Sequence, residues 1–159
     1  MNRRLTINDF LALARCGLDR LTPVQVVEAM RLGALIVDTR QHIDRVRDGV
    51  IAGSLWIPST VLLWACDPES GRANEWIPSF DAHLIVMCNE GFSSSVAAHN
   101  LQRIGFPNAT DMIGGHDAWR CAGLASQPPA NVDGGLLDGR CPPEPCLEAC
   151  AGSELPGNY

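Results

Sequence analysis

Apolar residues in this chain follow two rhythms. Leu84-Ile85-Val86-Met87 and Ala34-Leu35-Ile36-Val37 are unbroken apolar runs of strand length. Such runs suit strands covered on both faces. Leu55-Trp56-Ile57 and residues 109–113 predict two further short strands. Between these runs the spacing changes to three and four. Ala97, Leu101 and Ile104 share one helical face after a polar turn. Pro23, Val26, Val27 and Met30 do so earlier, with Thr22 and Gln25 as a capping box and Gly33 as the stop. Ile7, Phe10, Leu11, Ala14 and Leu18 predict an N-terminal helix over 6–18, boxed by Thr6 and Asp9 and stopped near Gly17. Residues 40–48 predict a polar helix on which Arg40, Arg45 and Arg47 pair with Asp44 and Asp48 in solvent. A short helix is expected over 59–65. Gly105 closes the helix after Cys88, with Phe106 folding back on Leu101. Gly114-Gly115 then turns into a last helix that runs through Trp119 and ends at Gly123. Strands alternating with helices predict an α/β fold: an open, mostly parallel sheet with helices on both faces.

The pattern stops at Ser126. Pro128-Pro129, Gly134-Gly135 and Pro142-Pro143 do not build regular elements. The organisation expected is a helical arm over 1–20, a domain over 21–125 and a flexible Pro/Gly/Cys-rich C-terminal tail over 126–159. Composition narrows the setting. A chain of 159 residues with 46% hydrophobic content has a one-domain length and enough apolar material for a core. A net charge of −6 speaks against nucleic acid and anionic membrane surfaces as partners. Asn8, Asp9 and Arg15 interrupt any leader-like apolar core at the start, and no run reaches membrane-span length. The seven cysteines are odd in number, and the first four are widely spread. That is not a secreted disulfide framework, so a reducing cytoplasm is the expected setting. Cys141, Cys146 and Cys150 suggest a soft metal or a sulfur relay, but no fourth ligand of matching spacing accompanies them. Neither a metal nor a cofactor is called for.

Cys88 is the candidate reactive group. It ends the Leu84–Met87 strand and precedes the turn Asn89-Glu90-Gly91-Phe92-Ser93-Ser94-Ser95, which leads into a helix. The first amides of a helix lack internal partners and lie at the positive end of its dipole. A thiolate there is favoured. Gly91 permits the backbone curl that brings successive N–H groups around the sulfur. Asp38, at the end of the other core strand, is expected to support the loop by accepting backbone N–H bonds, or to cap the following helix. Trp56, Trp64 and Trp76 are candidates for a pocket wall, although core packing is the commoner use of tryptophan.

Cys88-x-x-Gly91-x-x-Ser94, placed between a strand and a helix, resembles the active-site loop of the rhodanese family of sulfurtransferases. Val37-Asp38-Thr39-Arg40 resembles the family's Asp-x-Arg segment. Residues 49–58 resemble its Gly-His-Ile-Pro-Gly-Ala stretch, with Val50, Ala52 and Ser54 departing from it. Ile113-Gly114-Gly115-His116-Asp117-Ala118-Trp119 resembles its closing Gly-Gly-x-x-Ala-Trp turn. The resemblance implies the rhodanese-like parallel sheet and an enzyme that moves sulfane sulfur through a Cys88 persulfide. In it the amides and hydroxyls of Asn89, Glu90, Gly91, Phe92, Ser93, Ser94 and Ser95 hold the outer sulfur, and the arginine matching Arg40 braces the fold. The expected partners are a small-molecule or protein persulfide donor and a thiol or cyanide acceptor. None of His42, His83, His99 and His116 is needed as a base. The family's thiosulfate users often carry a basic residue at the position of Ser93. Here the loop has Glu90 and no cation, so thiosulfate is expected to be a poor donor. Two other readings compete: a non-enzymatic binding or redox-sensing module, and a cysteine phosphatase, which would need an arginine where Ser94 stands.

Overall fold

The computed structural model describes residues 4–129. Four parallel strands form one sheet in the order β2-β1-β3-β4. They are β1 (Leu35–Asp38), β2 (Leu55–Trp56), β3 (Leu84–Met87) and β4 (Thr110–Asp111). The helices are α1 (Ile7–Arg15), α2 (Pro23–Arg31), α3 (His42–Asp48), α4 (Leu62–Cys66), α5 (Ser93–Arg103) and α6 (Gly115–Cys121). This is the α/β architecture expected from the apolar pattern. Beyond β4, Leu21 makes a single parallel bridge to Met112, which carries the sheet one step further.

The period-two geometry of strands divides the core. Val37, Leu84 and Val86 join Leu62 of α4, Ala98 and Leu101 of α5, and Phe106 on one face. Ile36, Ile85 and Met87 join Val26 of α2, Met112 and Trp119 of α6 on the other. Every residue of β3 is buried, which explains why its run carries no polar position. Thr6–Asp9 and Thr22–Gln25 both form reciprocal capping boxes. The α5 helix ends with Gly105 at φ 115° and the Phe106 amide on the Leu101 carbonyl at 3.1 Å.

Three expectations need correction. On α1, Ala14 is buried and Leu18 lies buried just beyond it, but Ile7 is 73% and Phe10 41% exposed, so only part of the helix's apolar face is covered. Arg40 and Arg45 are not on a solvated face. They are 3% and 7% exposed, and both pair with the fully buried Asp38. Only Arg47 makes the surface pairs, with Asp44 and Asp48. The compact unit also continues past Ala125: Val50 and Gln127 exchange backbone hydrogen bonds at 2.8 and 2.9 Å. The expected tail with Cys141, Cys146 and Cys150 lies otherwise outside the described residues. Among the described residues no helix is long and apolar enough to cross a membrane.

Candidate active site around Cys88

Cys88 follows β3 directly, at the carboxyl edge of the sheet where open α/β folds place their ligands. Its sulfur accepts the Gly91 N–H at 3.1 Å and lies 3.2 Å from Ser94 Oγ, in the first turn of α5. Burial pushes the Cys88 thiol up. The hydroxyls of Ser93 and Ser94 and the amides of Ser94 and Gly91 outweigh it, and the thiol ends below its ordinary value. Cys66 shows what burial does without such donors: its thiol is pushed up to about 12. The hydrogen bonds are therefore what set the Cys88 thiol apart from the likewise buried Cys66 thiol in the same fold. Cys88 opens onto a pocket of about 420 Å³, lined also by Thr39, Arg40, Gln41, Asp44, Asn89, Glu90, Phe92 and Ser93.

The loop is held from behind by the Gly114-Gly115 turn. The amides of His116 and Asp117 donate to the carbonyls of Cys88 and Asn89 at 2.9 and 3.0 Å. Gly91 sits at φ 78°, and a side-chain carbon there would lie 2.7 Å from the Gly114 nitrogen. At Gly115 such a carbon would strike the Cys88 carbonyl oxygen. Two main-chain turns thus approach each other more closely than any side chain permits. On the other flank, Thr39 donates its amide and its hydroxyl to the Met87 carbonyl, each at 2.9 Å.

The Rhodanese-like domain family matches residues 22–122, most of the chain. The chain belongs to the rhodanese-like domain family. Thiosulfate sulfurtransferase GlpE of Haemophilus influenzae is 32% identical over 99 residues, which are 62% of this chain and 85% of that protein. A solved structure from Rhodopseudomonas palustris, described as a protein of unknown function and possible tyrosine phosphatase, has a TM-score of 0.70 at 29% identity. It covers 80% of this chain and 99% of that one. Human single-domain sulfurtransferase TSTD1 shares the fold, with a TM-score of 0.55 at 21% identity over 64% of this chain and 94% of that one.

Within this rhodanese-like domain the expected loop residues divide. Cys88, Asn89, Glu90, Phe92 and Ser93 line the pocket, and Gly91 and Ser94 face the sulfur. Ser95 turns the other way: its amide donates to the Phe92 carbonyl at 3.2 Å and its hydroxyl reaches Asp111 at 2.7 Å. It frames the loop from beneath instead of lining the pocket. Asp38 serves the neighbouring turn rather than this loop. It accepts the Arg40 amide at 3.0 Å and the guanidiniums of Arg40 and Arg45, while Gln41 occupies the N-cap of α3. No tryptophan lines the pocket: Trp64 and Trp76 are largely exposed, and Trp56 ties its indole N–H to the Arg40 carbonyl at 2.9 Å. Sequence reading missed Arg15 and Arg20. Both donate to the Gly91 carbonyl, at 2.8 and 3.3 Å, from more than seventy residues away in sequence. The bridge between Leu21 and Met112 brings Arg20 there, and nothing in its local sequence signals it.

Proposed function

We propose that this protein is a sulfurtransferase that carries sulfane sulfur on Cys88. In the first step the thiolate attacks the outer sulfur of a donor. A Cys88–sulfur bond forms, the donor's sulfur–sulfur bond breaks, and its electron pair leaves on the donor's inner sulfur. An acceptor thiol or cyanide then attacks the outer sulfur, and Cys88 departs as thiolate. The observation that carries this reading is the open pocket at Cys88, with the Gly91 amide donating to the sulfur at 3.1 Å and Ser94 Oγ 3.2 Å from it. A thiolate formed without a histidine base fits such chemistry. A reducing cytoplasm would keep it available.

The pocket's charges favour a neutral or protein-bound persulfide over thiosulfate. Asp44 and Glu90 stand on its wall. Its one lining arginine, Arg40, shares the single carboxylate of Asp38 with Arg45, which leaves one positive charge against the two wall carboxylates. Arg15 and Arg20 bind the loop carbonyl and do not line the pocket. The test is the sulfur-transfer rate for a panel of donors, with Cys88→Ser and Glu90→Arg beside the parent. Cys88→Ser should abolish transfer. Glu90→Arg should raise thiosulfate turnover by roughly tenfold, because one near charge reverses sign. An unchanged thiosulfate rate would remove the charge argument, and transfer surviving in Cys88→Ser would remove the whole reading. The same acidic wall favours, as second choice, a module whose Cys88 answers oxidants; such a protein would form a sulfenate and pass no sulfur. Phosphatase chemistry is disfavoured because Ser94 offers no guanidinium to a phosphoryl group.

A further inference from the structure

Beneath the loop lies a polar assembly to which the sulfur-transfer scheme assigns no part. Asp111, in β4, is fully buried and is approached by four donors. Arg20 grips it with Nε on Oδ1 at 2.7 Å and Nη2 on Oδ2 at 3.0 Å. Ser95 Oγ reaches Oδ2 at 2.7 Å, and Ser94 Oγ lies 3.4 Å from the same oxygen. Arg15 Nε donates to Ser95 Oγ at 3.0 Å, which leaves the single hydrogen of Ser95 to two acceptors, Asp111 Oδ2 at 2.7 Å and the Gly91 carbonyl at 3.0 Å, of which the carboxylate is the nearer.

Ser94 also has one hydrogen and two claimants. Its oxygen lies 3.2 Å from the Cys88 sulfur and 3.4 Å from Asp111. When Cys88 is a thiol, the S–H donates to Ser94 and Ser94 donates to Asp111. When Cys88 is a thiolate, the Ser94 hydrogen must turn to the sulfur. A bare carboxylate at Asp111 would hold that hydrogen back and would repel the thiolate from one hydroxyl away. The Arg20 fork and Ser95 occupy Asp111 with shorter bonds, so the contact to Ser94 is the weakest of the four.

We propose that Arg20, acting through Asp111, is a positioning residue for Cys88: it satisfies the carboxylate so that the Ser94 hydroxyl serves the sulfur. The proposal rests on reading Cys88 as the nucleophile. Neither Arg20 nor Asp111 lines the Cys88 pocket, so they reach the sulfur through Ser94, through the Gly91 carbonyl that Arg20 also holds at 3.3 Å, and as charges acting across the loop. The other charged groups near Cys88 are Arg15 on the Gly91 carbonyl and Ser95, and Arg40, Asp44 and Glu90 on the pocket wall, with His116 bound through its amide to the Cys88 carbonyl. These stay constant across the variants below.

The test is the alkylation rate of Cys88 by iodoacetamide as a function of pH, followed by peptide mass spectrometry on the full chain. Arg20→Gln should move the midpoint up by about one pH unit, slowing alkylation near neutrality roughly tenfold. Asp111→Asn added to Arg20→Gln should return the midpoint most of the way. Asp111→Asn alone leaves the Arg20 charge unopposed and should move it down, which keeps the proposal testable if Arg20→Gln does not fold. A folded Arg20→Gln protein with the parent profile overturns the proposal. So does a double variant no closer to the parent than the single, or Asp111→Asn alone with an unchanged or raised midpoint. Alkylation needs no sulfur donor, so these profiles stand whether or not sulfur transfer occurs. Flat profiles beside intact transfer would remove only the role of Arg20.

Discussion

Replacing Gly91 by alanine tests how tightly the loop is framed. Gly91 has φ 78°, and its added carbon would meet the nitrogens of Gly114 and Gly115 at 2.7 and 3.1 Å and the Met112 carbonyl oxygen at 3.1 Å. All three are main-chain atoms that cannot rotate aside. Gly53 also has φ 78°, with nothing within 4 Å of its added carbon. The left-handed backbone costs an alanine about 1–2 kcal/mol at either position. The close approach should add about 1–3 kcal/mol at Gly91 alone, the usual range for forcing an extra carbon into packed surroundings. Gains from a stiffer unfolded chain act on both variants and cancel in the comparison. Urea denaturation should therefore find Gly91→Ala less stable than Gly53→Ala by about 1–3 kcal/mol. The clash pushes on the turn that holds the Cys88 and Asn89 carbonyls, so Gly91→Ala should also slow alkylation of Cys88 while Gly53→Ala leaves it alone. Equal stability loss in the two variants, with equal thiol reactivity, would refute the close-packed frame.

The remaining predictions concern buried charge. Asp38→Asn leaves the Arg40 and Arg45 guanidiniums, with side chains 0% and 8% exposed, without their anion. It should cost about 3–5 kcal/mol in urea denaturation, and a loss below about 1 kcal/mol, the scale of an exposed pair, would contradict the buried pairing. His116 is fully buried, and burial, with the Arg40 charge adding to it, pushes its imidazole down to about 4; Asp38 and Asp48 oppose the shift and Arg120 adds slightly to it. The unfolded chain titrates this histidine near 6.5, so below that pH the unfolded state binds the extra proton. Its contribution is complete above pH 6.5 and is lost as pH falls toward 4, on the order of 3 kcal/mol in all. His116→Asn should flatten the stability slope in that window, and an unchanged slope would contradict the shift.

The parts of the fold legible in the sequence were those written in local patterns. The all-apolar run of β3, the two capping boxes and the Gly105 stop each depend on residues within a few positions of one another. The arginines were not legible for the same reason. Arg40 and Arg45 sit in a polar stretch, and polarity reads as solvent exposure until the fold places Asp38 between them. At the site, the strand–loop–helix context singled out Cys88, and the spacing brought in Gly91 and Ser94. The turn of Ser95 toward Asp111, and the reach of Arg15 and Arg20 to the Gly91 carbonyl, depend on pairings sixteen to seventy-six residues apart. Only the topology brings these groups together.

The most direct test is to expose the reduced protein to a small-molecule persulfide and map the modification by peptide mass spectrometry. The account predicts a mass gain of one sulfur atom on Cys88, removable by cyanide and absent from Cys88→Ser. A Cys88 that stays unmodified, or that takes up only oxygen or a mixed disulfide, contradicts it.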